Sequence, residues 1–368
     1  AGHTAQEFYT NRTVVHLMAE MLKPQSGESV YDPTCGSAGM LISCIAYLKE
    51  HGLEWRNLKV YGQEINQLTS AIGRMNLFLH GVQTFEIIND DTLVNPGFIV
   101  NGQLQKFDVV LANPPYSISQ WDRDTFAFDK YGRNFLGTPP QGRADYAFFQ
   151  HILKSLKPDT GRCAILFPHG VLFRGEEKEM REKLVQMDLV ECVIGIGKNL
   201  FYNSPMEACI VICNTNKPAE RKGKVLFIDC REKGIMIDRK IRELTYNDVT
   251  LGHQDNDELT EKIKTYNTTV YGDENKGDVE SIAAVYHAWL KGEGYEDVKG
   301  FCAVVSTEDI AKQDYILTPG RYVGIEEQED DGVPFEEKIK TLTTELKAQF
   351  EESHKLEEEI KLVCNKTR

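Results

Sequence analysis

Seven short apolar runs, separated by stretches of helical periodicity, recur through roughly the first 215 residues, and this alternation leaves few folds open. The runs are Ser29–Asp32, Leu58–Gly62, Phe85–Ile88, Phe107–Ala112, Arg162–Phe167, Leu189–Ile194 and Ala208–Cys213. Helical spacing marks Thr13–Leu22, Met40–His51, Gln67–His80 and Ala144–Leu156. Strand and helix in alternation imply a mostly parallel, seven-stranded α/β sheet flanked by helices. In such a sheet ligands bind beyond the carboxyl ends of the strands.

The remainder is less regular. Leu226–Asp229 reads as an edge strand, 248–277 as a polar loop or insertion, and Ala283–Lys291 as a short helix. From Phe335 to Cys364 the chain again reads as helix. Ile339, Leu342, Leu346, Leu356, Ile360 and Val363 fall on the a and d positions of a heptad. That helix can pack on its own domain or form a coiled coil with a partner. The expected organisation is a catalytic domain over 1–245, an irregular segment over 246–334 and a C-terminal helical extension over 335–368.

No apolar run reaches the length of a membrane span. The first residues, Ala1-Gly-His-Thr-Ala-Gln-Glu-Phe-Tyr, have neither the basic head nor the apolar stretch of a secretory signal. They also lack a methionine, as a chain beginning inside a longer product would. Nine cysteines, an odd number without a CxxC pair, sit mostly in apolar runs. Buried reduced thiols in a prokaryotic cytoplasm are the expectation, with no metal site and no disulfide framework.

Four segments carry chemistry. In Val30-Tyr-Asp32-Pro-Thr34-Cys35-Gly36-Ser37-Ala-Gly39, a strand ends in an acid and a glycine turn opens a helix. Glycine lets backbone approach a ligand, and a helix N-terminus favours electronegative groups. The spacing differs from that of the dinucleotide GxGxxG. Glu64 closes the next strand, where an acid can take ribose hydroxyls, although acids are also common on surfaces. Asp90 and Asp91 follow the third and suit an exocyclic adenine amine, or a solvated turn. The fourth segment is Asn113-Pro114-Pro115-Tyr116, directly after Phe107–Ala112. Two prolines stiffen the loop. The Asn113 amide oxygen and the Pro114 carbonyl can then accept both hydrogens of one amine, and the Tyr116 ring can stack on a base.

Taken together these motifs resemble the amino-group DNA methyltransferases of the adenine-N6 type, in particular the modification subunits of type I restriction-modification systems. Glu7-Phe8-Tyr9-Thr10-Asn11-Arg12 resembles the family's Gln-Phe-Tyr-Thr-Pro-Arg segment, with Glu7 for glutamine and Asn11 for proline. Gly142-Arg-Ala-Asp-Tyr-Ala-Phe-Phe-Gln-His, Asn199-Leu-Phe201-Tyr-Asn-Ser, Tyr286-His-Ala-Trp and Leu317-Thr-Pro-Gly-Arg-Tyr resemble later family segments. The resemblance covers most of the chain, is weakest over about 245–280, and does not include the family's N-terminal helical domain.

The resemblance implies a Rossmann-like S-adenosylmethionine-dependent methyltransferase fold and site-specific, adenine-specific methylation of duplex DNA, with S-adenosylhomocysteine as product. Glu7 to Arg12 would cap the cofactor's methionine part. Asp32, Thr34, Cys35, Gly36, Ser37, Gly39, Glu64 and Asp91 would line the rest of its site. Asn113 to Tyr116 would hold an extruded adenine, with Phe201 stacking opposite Tyr116; a core phenylalanine is the alternative for Phe201. Transfer would be direct, without a cysteine nucleophile, since no Pro-Cys dipeptide occurs.

The formal net charge of −14 is at odds with an isolated DNA binder, in which phosphate contacts dominate. A type I assembly resolves this: a specificity subunit and a second copy of the chain would share the DNA, with the C-terminal helix as the docking element. A restriction subunit is a further possible member. A solitary adenine methyltransferase, or a protein-glutamine or RNA methyltransferase with the same Asn-Pro-Pro-Tyr, are the competing readings.

Overall fold

The computed structural model describes residues 11–200, 206–248, 256–325 and, further on, positions 343, 344, 347, 349 and 350. The chain divides into two compact units, Ala1–Ile325 and Glu326–Arg368. In the second unit the five described positions are helical. The rest of the expected helix over 335–368 lies outside the described residues.

The first unit is built on one nine-stranded sheet. Its strands in chain order are β1 (Ser29–Asp32), β2 (Lys59–Glu64), β3 (Phe85–Asn89), β4 (Val109–Ala112), β5 (Arg162–Pro168), β6 (Val190–Ile196), β7 (Ala208–Asn214), β8 (Lys224–Cys230) and β9 (Cys302–Ser306). Across the sheet they lie in the order β3-β2-β1-β4-β5-β7-β6-β8-β9. Strands β1 to β5 are parallel, while β7 inserts antiparallel between β5 and β6. All seven expected strands are present, and two more extend the sheet. The run at 226–229 is not an edge: β8 pairs with β6 on one side and antiparallel with β9 on the other. The short run Cys302–Ser306, not read as a strand from sequence, becomes one because β8 offers it a partner.

Both faces of the sheet are covered, and strand side chains alternate between them with period two. Val30, Val109, Leu111, Ala164 and Leu166 face the layer holding α1 (Arg12–Leu22), α2 (Gly39–Glu50) and α7 (Asp278–Lys291). Tyr31, Val110, Ala112, Cys163 and Ile165 face the layer holding α4 (Asp145–Lys154) and α5 (Lys178–Gln186). Helix α7 is longer than expected. Its buried Val279, Ile282, Ala283, Tyr286 and Trp289 recur at three- and four-residue spacing.

A correction concerns 248–277, read from sequence as loop. Asp257–Tyr271 is a fifteen-residue helix, α6, capped by the Asn256 side chain. Only Leu259, Ile263 and Asn267 on it are buried. So narrow an inward stripe leaves a polar composition that looks like loop. The described part of 246–325 supplies α6, α7 and β9 to the same unit. Among the described residues no helix is long and apolar enough to cross a membrane. The eight described cysteines are all buried and free.

Helix α3 (Gln67–Leu79) approaches the glycine loop after β1 through its small residues. Its buried face consists of Ser70, Gly73 and Leu77. A Cβ on Gly73 would stand 2.9 Å from the Gly36 carbonyl oxygen. The opposite face leaves Leu68, Ile72, Met75, Phe78 and Leu79 exposed.

Candidate active site

The strand order reverses between β1 and β4, because β2 and β3 are laid down on one side and β5 on the other. A crevice forms beyond the carboxyl ends of the strands at such a switch point. The acids at the ends of β1 and β2, the acidic turn after β3 and the Asn-Pro-Pro-Tyr loop after β4 all belong to this edge.

Asp32, 1% exposed, closes β1. Its Oδ1 accepts a hydrogen bond from the Thr34 backbone N–H at 2.9 Å. Burial dominates and raises its pKa from 3.8 to about 7, with Glu64 adding to the rise and the Thr34 hydrogen bonds opposing it. A carboxyl held out of water in this way gains most from a cationic partner. The loop then turns at Gly36 (φ +52) and Ala38 (φ +70), both left-handed, before α2 begins at Gly39.

Glu64 braces this loop from the side. One of its oxygens accepts from the Gly36 N–H at 2.9 Å, the other from the Asn66 N–H at 2.8 Å. Cys35 N–H donates to the Gln63 carbonyl, and Asn76 donates to the Ser37 carbonyl at 3.0 Å. Burial pushes the Cys35 thiol well up, so it is a neutral lining group. Ile65, next to Glu64, is 66% exposed and gives this edge an apolar patch. Neither Ile65 nor the bracing by Asn66, Gln63 and Asn76 was expected from sequence.

Asp91 caps the turn after β3, its Oδ1 accepting from Leu93 N–H at 2.8 Å and Val94 N–H at 3.1 Å. Both Asp90 oxygens are engaged, one by Asp91 N–H and one by the Asn95 amide. The turn is anchored from beneath by Arg133, which is 2% exposed and lies far away in sequence. Its guanidinium donates to the carbonyls of Thr92 and Leu93 and pairs with Asp129 at 2.7 Å. His151 bridges Arg133 and the Tyr31 hydroxyl. Burial, with the charges of Arg133 and Lys106, holds its pKa well below the usual value, so the ring is neutral.

Asn113 is half-buried with its amide oxygen out of solvent, and Pro114 behind it is buried. Tyr116 is half-exposed although its hydroxyl is buried. Burial of that hydroxyl, with Cys209 and Asp145 nearby, raises the phenol pKa well above its usual range. A neutral ring with its polar end buried can present a face for stacking.

Asn11 is fully buried. Its side chain caps α1 through Thr13 N–H at 2.9 Å and donates to the Arg242 carbonyl at 3.0 Å. It is therefore engaged in structure, a role the sequence did not suggest, while Arg12 beside it is exposed. Glu7, Phe8, Tyr9, Thr10 and Phe201 lie outside the described residues.

A sheet of this order, with β7 antiparallel and a glycine loop after β1, defines the Rossmann-like fold of S-adenosylmethionine-dependent methyltransferases. A solved methyltransferase subunit of a type I restriction-modification system from Streptococcus thermophilus superposes with a TM-score of 0.69 at 29% identity, covering 86% of this chain and 59% of that one. The N-6 DNA methylase family matches residues 1–331, and the chain belongs to that family. It is 37% identical over 363 residues to the methylase subunit of the type I restriction enzyme HindI of Haemophilus influenzae, covering 98% of this chain and 73% of the relative. To the MjaIX methylase subunit of Methanocaldococcus jannaschii it is 30% identical over 369 residues, covering 99% of this chain but 60% of that one.

Proposed function

We propose that the chain transfers a methyl group from S-adenosylmethionine to adenine N6 in duplex DNA, as the modification subunit of a type I complex. The observation that carries this is the meeting, at one topological switch point, of a cofactor-type loop with the Asn113–Tyr116 loop. The residues present suit the cofactor. The loop after β1 is packed closely enough that a Cβ on Gly73 would collide with it, and Asp32 is a buried carboxyl awaiting positive charge. Asp32 would meet the amino end, Glu64 the ribose hydroxyls, Ile65 the flat face of the base and Asp91 its exocyclic amine. When bound, S-adenosylmethionine supplies an electrophilic methyl group.

The remaining steps belong to the chain. The target adenine leaves the base stack, since its N6 is inaccessible within a duplex. The Asn113 amide oxygen and Pro114 carbonyl accept the two N6 hydrogens. This keeps the nitrogen lone pair out of the ring and directs it to one side. Tyr116 stacks on the base. Catalysis rests on orientation and fixed dipoles rather than on a covalent intermediate.

Recognition of a DNA sequence and much of the phosphate contact by a separate specificity subunit, in a complex with a second copy of this chain, would reconcile DNA methylation with the net charge of −14. Labelled methyl transfer to duplex DNA is expected only when that subunit is present. Labelling by the chain alone would point to a solitary enzyme, and no labelling of DNA despite bound cofactor would move the substrate to protein or RNA.

The loop packing makes a further prediction. Gly73→Ala puts a methyl against backbone that cannot rotate away, so α3 must retreat from the loop. Overpacking of this kind costs about 1–3 kcal/mol. Cofactor affinity should fall about tenfold or more, measured by calorimetry; unchanged affinity would contradict the role of the loop.

A further inference from the structure

The loop that follows Tyr116 is held by a buried ionic network outside the motif. Ser117 sits in the left-handed region, φ +50, without being glycine. Such a conformation persists only where surrounding structure enforces it. The enforcing group is Asp145, the first residue of α4, which is 1% exposed. Its Oδ1 accepts from the Ser117 N–H at 2.7 Å and its Oδ2 from the Ser117 hydroxyl at 3.2 Å.

Asp145 is in turn held by Arg174, which follows β5. One guanidinium nitrogen of Arg174 donates to Asp145 Oδ2 at 2.8 Å, and the other donates to the Ser117 hydroxyl oxygen at 3.4 Å. The same guanidinium lies 3.7 Å from Glu177, whose carboxyl has no exposed surface and whose pKa burial raises to about 7. Arg181, 1% exposed, donates to the Arg174 carbonyl at 2.7 Å and fixes the backbone from which Arg174 projects. Gly170 makes room: a Cβ there would come within 2.3 Å of the Arg174 Nε. A planar, permanently charged fork bonded to a buried carboxylate and to a hydroxyl can hold an angle that a flexible ammonium cannot.

We infer that Arg174, acting through Asp145 and Ser117, is a positioning residue for methyl transfer, fixing the Asn113–Tyr116 loop at the angle at which it receives the target base. The inference rests on the functional reading above. The hydrogen bonds and ion pairs of the network run among Ser117, Asp145, Arg174, Glu177 and Arg181 rather than to the glycine loop after β1, so its loss should affect turnover and spare cofactor binding.

The test uses the complete subunit in its active assembly on DNA. Arg174→Met is expected to lower kcat about a hundredfold, the scale on which a displacement of about 1 Å acts. Cofactor affinity and the KM for DNA should stay within about threefold of wild type. Arg174→Lys should recover part of kcat, because an ammonium can pair with Asp145 without bridging to Ser117. Gly170→Ala is a second probe that leaves every charge in place. The atoms nearest its methyl all belong to the Arg174 guanidinium group, the far end of a long side chain that can be displaced without moving backbone, so the fold should survive while kcat falls. In the Arg174→Met background Gly170→Ala should have no further effect, as expected for two changes acting through one group.

A kcat within about threefold of wild type in both single variants would overturn the inference, as would equal losses in Arg174→Met and Arg174→Lys. Asn113→Ala, assayed in parallel, separates the two levels of argument. If it is active the functional reading fails; if it is inactive while Arg174→Met is fully active, only the positioning role fails.

Discussion

Truncating Asn113 to alanine should lower methyl transfer by about a thousandfold while leaving cofactor affinity within about twofold of wild type. A single preorganised hydrogen-bonding group in a reaction site is worth roughly a hundred- to a thousandfold in rate. In the proposed mechanism Asn113 would supply one of two acceptors on a loop that two prolines prevent from adapting, so a neighbouring group could not readily replace it. Asn113→Asp should lose less than Asn113→Ala, since it retains an acceptor oxygen although it adds a charge. Single-turnover labelling with saturating cofactor reads the chemical step directly. A near wild-type rate for the alanine variant would exclude Asn113 as an amine acceptor. A collapse of cofactor binding instead would mean that the loop after β4 helps to build the cofactor site.

The second large effect is expected at Asp32. Burial raises its pKa to about 7, so near neutrality the apo-protein is a mixture of neutral and ionised forms. A cationic ligand selects the ionised form. Cofactor binding should therefore release a proton, and affinity should weaken as pH falls below about 7, approaching tenfold per unit. Above that pH it should level off. The apo-fold shows the opposite trend. A carboxyl whose folded pKa lies above its ordinary 3.8 makes the fold lose stability as pH rises from about 4 to about 7, after which the contribution is constant. Bound cofactor should flatten that slope.

Removing one member of a buried charge pair costs about 2–5 kcal/mol, or from about thirtyfold to several thousandfold in affinity. Asp32→Asn should sit near the lower end, since it keeps shape and an acceptor, and should abolish proton release. Calorimetry in two buffers of different ionisation enthalpy measures both quantities. Binding by Asp32→Asn that is tight, with wild-type pH dependence, would remove Asp32 from the site.

Much of this edge was legible beforehand because each motif is local. A strand that ends in an acid and a glycine turn, or in Asn-Pro-Pro-Tyr, carries its own geometry within about ten residues. The sheet order then brings β1, β2, β3 and β4 side by side without further information. Arg133, Arg174 and Asp145 were not legible as partners of these loops. An arginine in sequence looks solvated whether it ends in water or beneath a loop. Only the fold reveals that Arg133 holds the Asp91 turn from about forty residues away and that Arg174 holds Ser117 from fifty-seven. The same holds for Asn11, where the sequence shows a departure from a proline and the fold shows a helix cap joined to the Arg242 carbonyl.

By itself, then, the sequence determined the alternation of strands and helices, the seven central strands, five of the helices and the chemical character of the loops that follow β1, β2 and β4. Those are short-range properties, set by apolar periodicity and turn stereochemistry. Tertiary structure alone decided that β8 is interior to the sheet, that Cys302–Ser306 pairs as a strand, that the polar run Asp257–Tyr271 is a helix, and which buried ions brace the loops after β3 and β4. Each depends on a partner distant in the chain: an open strand edge, a narrow apolar groove, or an opposite charge already removed from water. No local signal can announce a partner that folding has yet to deliver.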